Sequence, residues 1–174
     1  MSGKVIGIGL AALALLAGST LYYLQEYAYY REVQLAGAGD GERRGVVIEM
    51  VSLTSGVPEA IPADDFRGID ADNAPIRFRA CFRVPMSLPM LSETFEIHEN
   101  PTPLIGPSWF DCFDARAIGQ ALEEGRAVAF LSRRNIHDGV DRVIAVFPDG
   151  RAYAWHQLNE KFEKKAPFDA RSSD

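Results

Sequence analysis

Residues 5–24 (VIGIGLAALALLAGSTLYYL) carry no charged side chain, and the nearest charges on either side are Lys4 and Glu26. At a helical rise of about 1.5 Å per residue, about 20 residues cover the roughly 30 Å hydrocarbon core of a bilayer, so the pattern predicts a transmembrane helix. Residues 34–45 (QLAGAGDGERRG) are glycine-rich without apolar periodicity and read as a flexible tether. Residues 46–53 (VVIEMVSL) are a mostly apolar, β-branched run suited to a strand buried on both faces. Residues 76–84 alternate: Ile76, Phe78, Ala80, Phe82 and Val84 fall on one face, and Arg77, Arg79, Cys81 and Arg83 on the other.

Five of the ten prolines (Pro85, Pro89, Pro101, Pro103, Pro107) fall in the next stretch and exclude a long regular element, leaving a short strand over 93–97 in a segment that wraps the domain. Asp114 is placed to cap a helix over 115–124 whose Ile118, Ala121 and Leu122 share a face, with Gly125 suited to the left-handed position that ends it. Residues 127–132, 142–147 and 151–157 read as strands, the last two joined by the turn Pro148-Asp149-Gly150. The expected fold is α+β, with one N-terminal transmembrane helix and a small extracytoplasmic domain of about five antiparallel strands and one packed helix. The implied division is 1–33 anchor, 34–45 tether, 46–158 domain and 159–174 polar, mobile tail.

Lys4 and the terminal amine precede the apolar run, whereas Glu26, Arg31 and Glu32 follow it, so the positive-inside bias places the N-terminus in the cytoplasm and the domain outside it. Tyr22, Tyr23, Tyr27, Tyr29 and Tyr30 crowd the outer end and read as an aromatic anchor at the headgroups. A competing reading is a cleaved secretory signal, because Ala17-Gly18-Ser19 offers small residues before Thr20. Gly7, Ala11, Ala14 and Gly18 share one helical face and read as a small-residue stripe on which a partner helix can pack closely, or else as a chance pattern in an Ala- and Gly-rich segment whose Gly9, Ala12 and Ala17 sit on other faces.

The net charge of −6 leaves no basic footprint for nucleic acid. The two cysteines, Cys81 and Cys112, lack the close spacing of a redox pair or metal clip, and in an oxidising compartment they read first as a disulfide. Free buried thiols and a metal role are the alternatives. His98, His137 and His156 are far apart, and His156 beside Trp155 reads as a buried, hydrogen-bonded side chain. Met86, Met90, Cys81, Cys112 and His98 are the soft ligands a copper-handling metallochaperone would use, but the methionines also suit gap filling under an irregular loop. Asp64, Asp65, Asp70 and Asp72 lack the glycine and terminal glutamate of a calcium loop and read as solvated. Arg77, Arg79 and Arg83 form a basic stripe that would meet an acidic partner or anionic headgroups, or else pair with neighbouring carboxylates. No cofactor is implied.

Residues 100–131 (NPTPLIGPSWFDCFDARAIGQALEEGRAVAFL) and 139–160 (GVDRVIAVFPDGRAYAWHQLNE) resemble a family of short single-pass proteins of Rhodobacter- and Paracoccus-type alphaproteobacteria, a domain of unknown function. Members are sometimes labelled histidine kinase, but this chain has no room for a phosphoacceptor helix and an ATP-binding domain. The resulting expectation is a non-enzymatic accessory subunit or assembly factor of an inner-membrane complex, with a respiratory, cytochrome oxidase-type host and integral membrane partners. A metallochaperone and an independent ligand-binding sensor are the competing classes, the latter requiring an enclosed apolar pocket.

Overall fold

The computed structural model describes residues 3–36, 45–71 and 73–165. In chain order the elements are α1 (Gly3–Glu26), β1 (Arg31–Val33), β2 (Glu49–Val51), β3 (Pro58–Ala60), β4 (Asp64–Asp70), β5 (Arg79–Arg83), α2 (Leu88–Thr94), α3 (Ala115–Glu123), β6 (Val128–His137), β7 (Val140–Val146), β8 (Arg151–Leu158) and α4 (Glu160–Lys165). α1 is one 24-residue helix without a buried residue, long and apolar enough to cross a membrane. The rest is an α+β domain built on a six-stranded antiparallel sheet in the order β1-β4-β5-β8-β7-β6, with β2 and β3 as a separate ribbon.

Backbone pairings continue beyond the sheet's edges and return to it. Leu35, just past β1, bridges Val46; Ser52 bridges Phe95; Ile97 bridges Phe130 of β6. The segment 46–53 is therefore hydrogen-bonded near one end to the chain leaving β1 and near the other to the chain leading to β6, and the sheet curls around a filled interior. Phe78, Phe82, Met50, Phe130 and Ile144 pack inside. The outer face carries a second cluster, with Trp155, Val143, Phe110, Phe113 and Ile118 under α3 and the proline-rich loop. Both faces of the central strands are thus covered, and all seven residues of β7 are buried.

Asp114 caps α3 as its spacing predicts, accepting from the amides of Arg116 and Ala117, and Gly125 follows at φ +68°. The β7–β8 turn also falls where expected. β6 runs on to His137 and turns tightly through Asp138-Gly139 into β7, with Gly139 at φ +80°. Four expectations need correction. Residues 88–94 are helical: Ser87 caps the helix and Pro89 sits in its first turn, where a missing N–H costs nothing. Asp64 and Asp70 bound a strand instead of a loop, while Asp72 lies outside the described residues. Residues 160–165 of the expected tail are helical, and 166–174 lie outside the described residues. The division into anchor, tether and domain fails at residue 31, where β1 already pairs with β4; residues 37–44 of the expected tether lie outside the described residues.

Candidate functional site

The most heavily constructed region is the junction where α1 meets the domain. After Glu26 a short turn leads into β1, whose Arg31, Glu32 and Val33 oppose Asp70, Ile69 and Gly68. Gly68 permits this approach: a Cβ there would lie 2.8 Å from Val33 and 2.6 Å from the Phe66 ring. Four residues therefore separate helix from sheet. A three-residue strand is too short to show periodicity, so β1 exists because β4 offers it an edge.

The proline-rich loop, residues 101–113, docks on the same junction. The Glu26 carboxylate accepts from Ser108 N at 3.0 Å and Ser108 Oγ at 3.1 Å, and Trp109 Nε1 donates to the Glu26 carbonyl at 2.6 Å. Trp109 stacks on Tyr27 at 6.2 Å and Tyr27 on Tyr23 at 6.0 Å, so an aromatic ladder passes from helix to domain. Tyr30 meets the Trp109 ring edge-on. Tyr22, Tyr23, Tyr27 and Tyr29 are exposed and Tyr30 is half-buried.

The loop is pinned from beneath by Arg79. Its guanidinium donates to the carbonyls of Leu104 at 2.6 Å, Ile105 at 3.2 Å, Ile76 at 2.8 Å and Phe78 at 2.6 Å, and lies 5.6 Å from the Phe113 ring centre. Irregular, proline-containing backbone lacks ladder partners, and a five-donor fork can satisfy several of its carbonyls at once. Arg79 is only 3% exposed, and burial lowers its pKa to about 10 against the opposing pull of Tyr30 and Asp70, so it stays cationic at neutral pH. Burial in turn raises the Asp70 carboxyl. Farther along, the Gln157 amide accepts from Thr102 N and Trp155 Nε1 and donates to Asn100 O and His98 Nε2. Cys112 is joined to Cys81 of β5 in a disulfide with Cα atoms 6.3 Å apart.

The expected basic stripe is consequently dispersed. Arg79 is interior, Arg77 lies over the rings of Tyr29 and Tyr30, and only Arg83 is exposed, reaching the Asp149 carbonyl. Alternation placed these residues on one side of a strand but could not show that the proline-rich loop covers that side. Gly7 and Gly18 of the small-residue stripe are open, since a Cβ at either meets nothing within 4 Å. Ala11 and Ala14 are exposed with them. The sequence reading overlooked Glu26, Ser108, Trp109 and Gln157. A tryptophan in the uncharged stretch 100–110 and the first carboxylate beyond an apolar span were the available signals.

The soft ligands are not gathered. Cys81 and Cys112 are consumed by the disulfide, Met86 packs on the interior cluster, Met90 is exposed on α2, and His98 is held by Gln157. Among the described residues no group of three or more His, Cys, Asp or Glu is placed to hold a metal. His156 is 1% exposed; its Nδ1 donates to Pro75 O at 2.6 Å and its Nε2 accepts from Arg142 Nε at 3.0 Å. Burial, with the neighbouring Arg142 charge, pushes its pKa to about 3, so it is a neutral structural side chain. Burial likewise lowers His98. An open cleft of about 790 Å³ beside Asn135, Asp141 and Asn159 is lined mainly by polar groups.

Residues 48–173 match the family of unknown function DUF6446, and the chain belongs to that family. No curated protein and no solved structure matches it. The match begins inside the domain, after both α1 and β1.

Proposed function

We propose that this protein is a single-pass, non-catalytic accessory subunit or assembly factor of an inner-membrane complex, with its N-terminus in the cytoplasm and its domain in the periplasm. The observation that carries this reading is the junction: a helix with no buried residue is hydrogen-bonded through Glu26 to the loop of the domain it carries. A long tether would let the domain sample many orientations, whereas a four-residue turn bounded by those bonds fixes the helix's azimuth relative to the domain. Such a protein can present a helix face and a domain face to one partner in fixed relation. The open stripe of Gly7, Ala11, Ala14 and Gly18 suits close packing of a partner helix. The disulfide and the positive-inside bias favour the periplasmic placement.

The test is co-purification of the tagged, full-length protein in mild detergent, with partners identified by mass spectrometry and a respiratory, cytochrome oxidase-type complex as the first host examined. Ala14→Leu and Gly18→Leu should lose the partner, while Ala12→Leu, on another face, should keep it at matched expression. Equal recovery across the three rejects helix-specific recognition, and a lone monomer rejects the subunit reading. Intact mass should retain the N-terminal segment; a mature species beginning at Thr20 rejects the anchor.

A further inference from the structure

Ile105 is 85% exposed, more than any large apolar residue of α1, where Leu15 reaches 72%. It lies in the stretch 100–110 (NPTPLIGPSWF), which has no charged residue although 24% of the chain is charged. The backbone beneath it is anchored inward, because the carbonyls of Leu104 and Ile105 are both held by buried Arg79. Four residues on, Trp109 is bonded to the end of α1. A bare isoleucine on a clamped, uncharged stretch has no packing role among the described residues. Its setting beside the helix end supplies one.

We infer that the loop 104–109 is a second membrane contact, with Ile105 and Trp109 seated in the interfacial layer of the leaflet from which α1 emerges. The inference rests on α1 spanning the bilayer. If the apolar run ends at Leu24, Glu26 lies only about 3 Å farther along the axis, within a headgroup layer about 5–8 Å thick on each side. Ser108 and Trp109 are at hydrogen-bond distance from Glu26 and so share that depth. Ile105, three residues from Ser108, is at most about 11 Å away. Tyr23, Tyr27 and Trp109 form one continuous stack across the helix–loop boundary, and amphipathic rings favour this layer. The domain would then rest on the lipid surface through its loop as well as hang from its helix, which limits tilt.

The full-length protein in phospholipid nanodiscs, one copy per disc, tests this. A solvent-sensitive fluorophore is attached at Ile105→Cys, at Leu21→Cys within α1, or at Met90→Cys on α2; the native cysteines are disulfide-bonded and do not react. α2 follows the Arg83 end of β5, opposite the Arg79 end where the loop is held. Lipids bearing a nitroxide on the headgroup or shallow in the acyl chain report contact by quenching. Quenching at position 105 should approach that at 21 and exceed that at 90 severalfold. Quenching at 105 equal to that at 90, with 21 strongly quenched, overturns the loop contact while leaving the span intact. Absence of quenching at 21 overturns the span and the loop contact together.

Discussion

Arg79 offers the sharpest check on how the junction is held. Replacing it by Met keeps most of the apolar stem but removes the fork that satisfies four carbonyls. Burial of the charge opposes the native arrangement: a pKa lowered to about 10 corresponds to about 3 kcal/mol against the charged form. Removing the guanidinium relieves that cost. The carbonyls of Leu104 and Ile105 lie in a surface loop and can recover water, whereas those of Ile76 and Phe78 lie at the covered entry to β5; two unpaired buried acceptors cost roughly 2–6 kcal/mol. The net expectation for Arg79→Met is a loss of up to about 3 kcal/mol, the excess of the unpaired acceptors over the charge burial relieved. Arg79→Lys should lose about as much, because a point-like ammonium cannot span four acceptors. Urea denaturation followed by tryptophan fluorescence measures the loss, and hydrogen exchange across residues 101–109 should accelerate in the same variants. A Met variant within about 0.5 kcal/mol of the native protein, with unchanged exchange in the loop, would refute the view that Arg79 holds it.

Three further outcomes follow from the same structure. His156 is neutral when folded but gains a proton below about pH 6.5 when unfolded, so its contribution is intact above that pH and declines toward its folded pKa of about 3; it should remove about 2 kcal/mol of stability by pH 5, with His98 acting in the same direction and Asp70 in the opposite one. Denaturation midpoints that stay flat between pH 7 and pH 5 would contradict this. Alkylation without reductant should label neither Cys81 nor Cys112, and the double Ser variant should lose about 3–4 kcal/mol through the longer-ranging unfolded chain, whereas native labelling of both thiols would reopen the metal reading. Trp109→Ala should broaden the spin-label distance distribution between Leu21→Cys and Met90→Cys by freeing the helix–loop bond, and an unchanged width would place the rigidity elsewhere.

Features set by near neighbours in the chain could be read directly. The uninterrupted apolar run fixes α1, Asp114 and Gly125 bound α3, the strands of the C-terminal half show in their composition and turns, and an even cysteine pair points to its own bond. Each depends on residues a few positions apart, or on a count, so no knowledge of the fold is needed. Residues 76–84 show where this ends. Their alternation correctly sends Phe78, Ala80, Phe82 and Val84 to the interior. It made the opposite face a solvent-facing basic stripe, because periodicity records two faces without saying what covers either. Arg79 became interior only when residues 101–113 folded over β5, and those residues are held by partners from α1, β5 and β8.

The sequence by itself determined that a membrane-length helix lies near the N-terminus and that an α+β domain follows, and it made a Cys81–Cys112 bond the first expectation, which the structure contains. Tertiary structure alone decided that helix and domain are joined without slack. β1 is too short to declare itself, and Glu26 meets Ser108 and Trp109 only because contacts more than 80 positions apart in sequence converge there. Hydrophobic periodicity carries information over one or two turns of chain. The enthalpy that fixes this junction comes from hydrogen bonds and ring contacts whose partners no local pattern specifies.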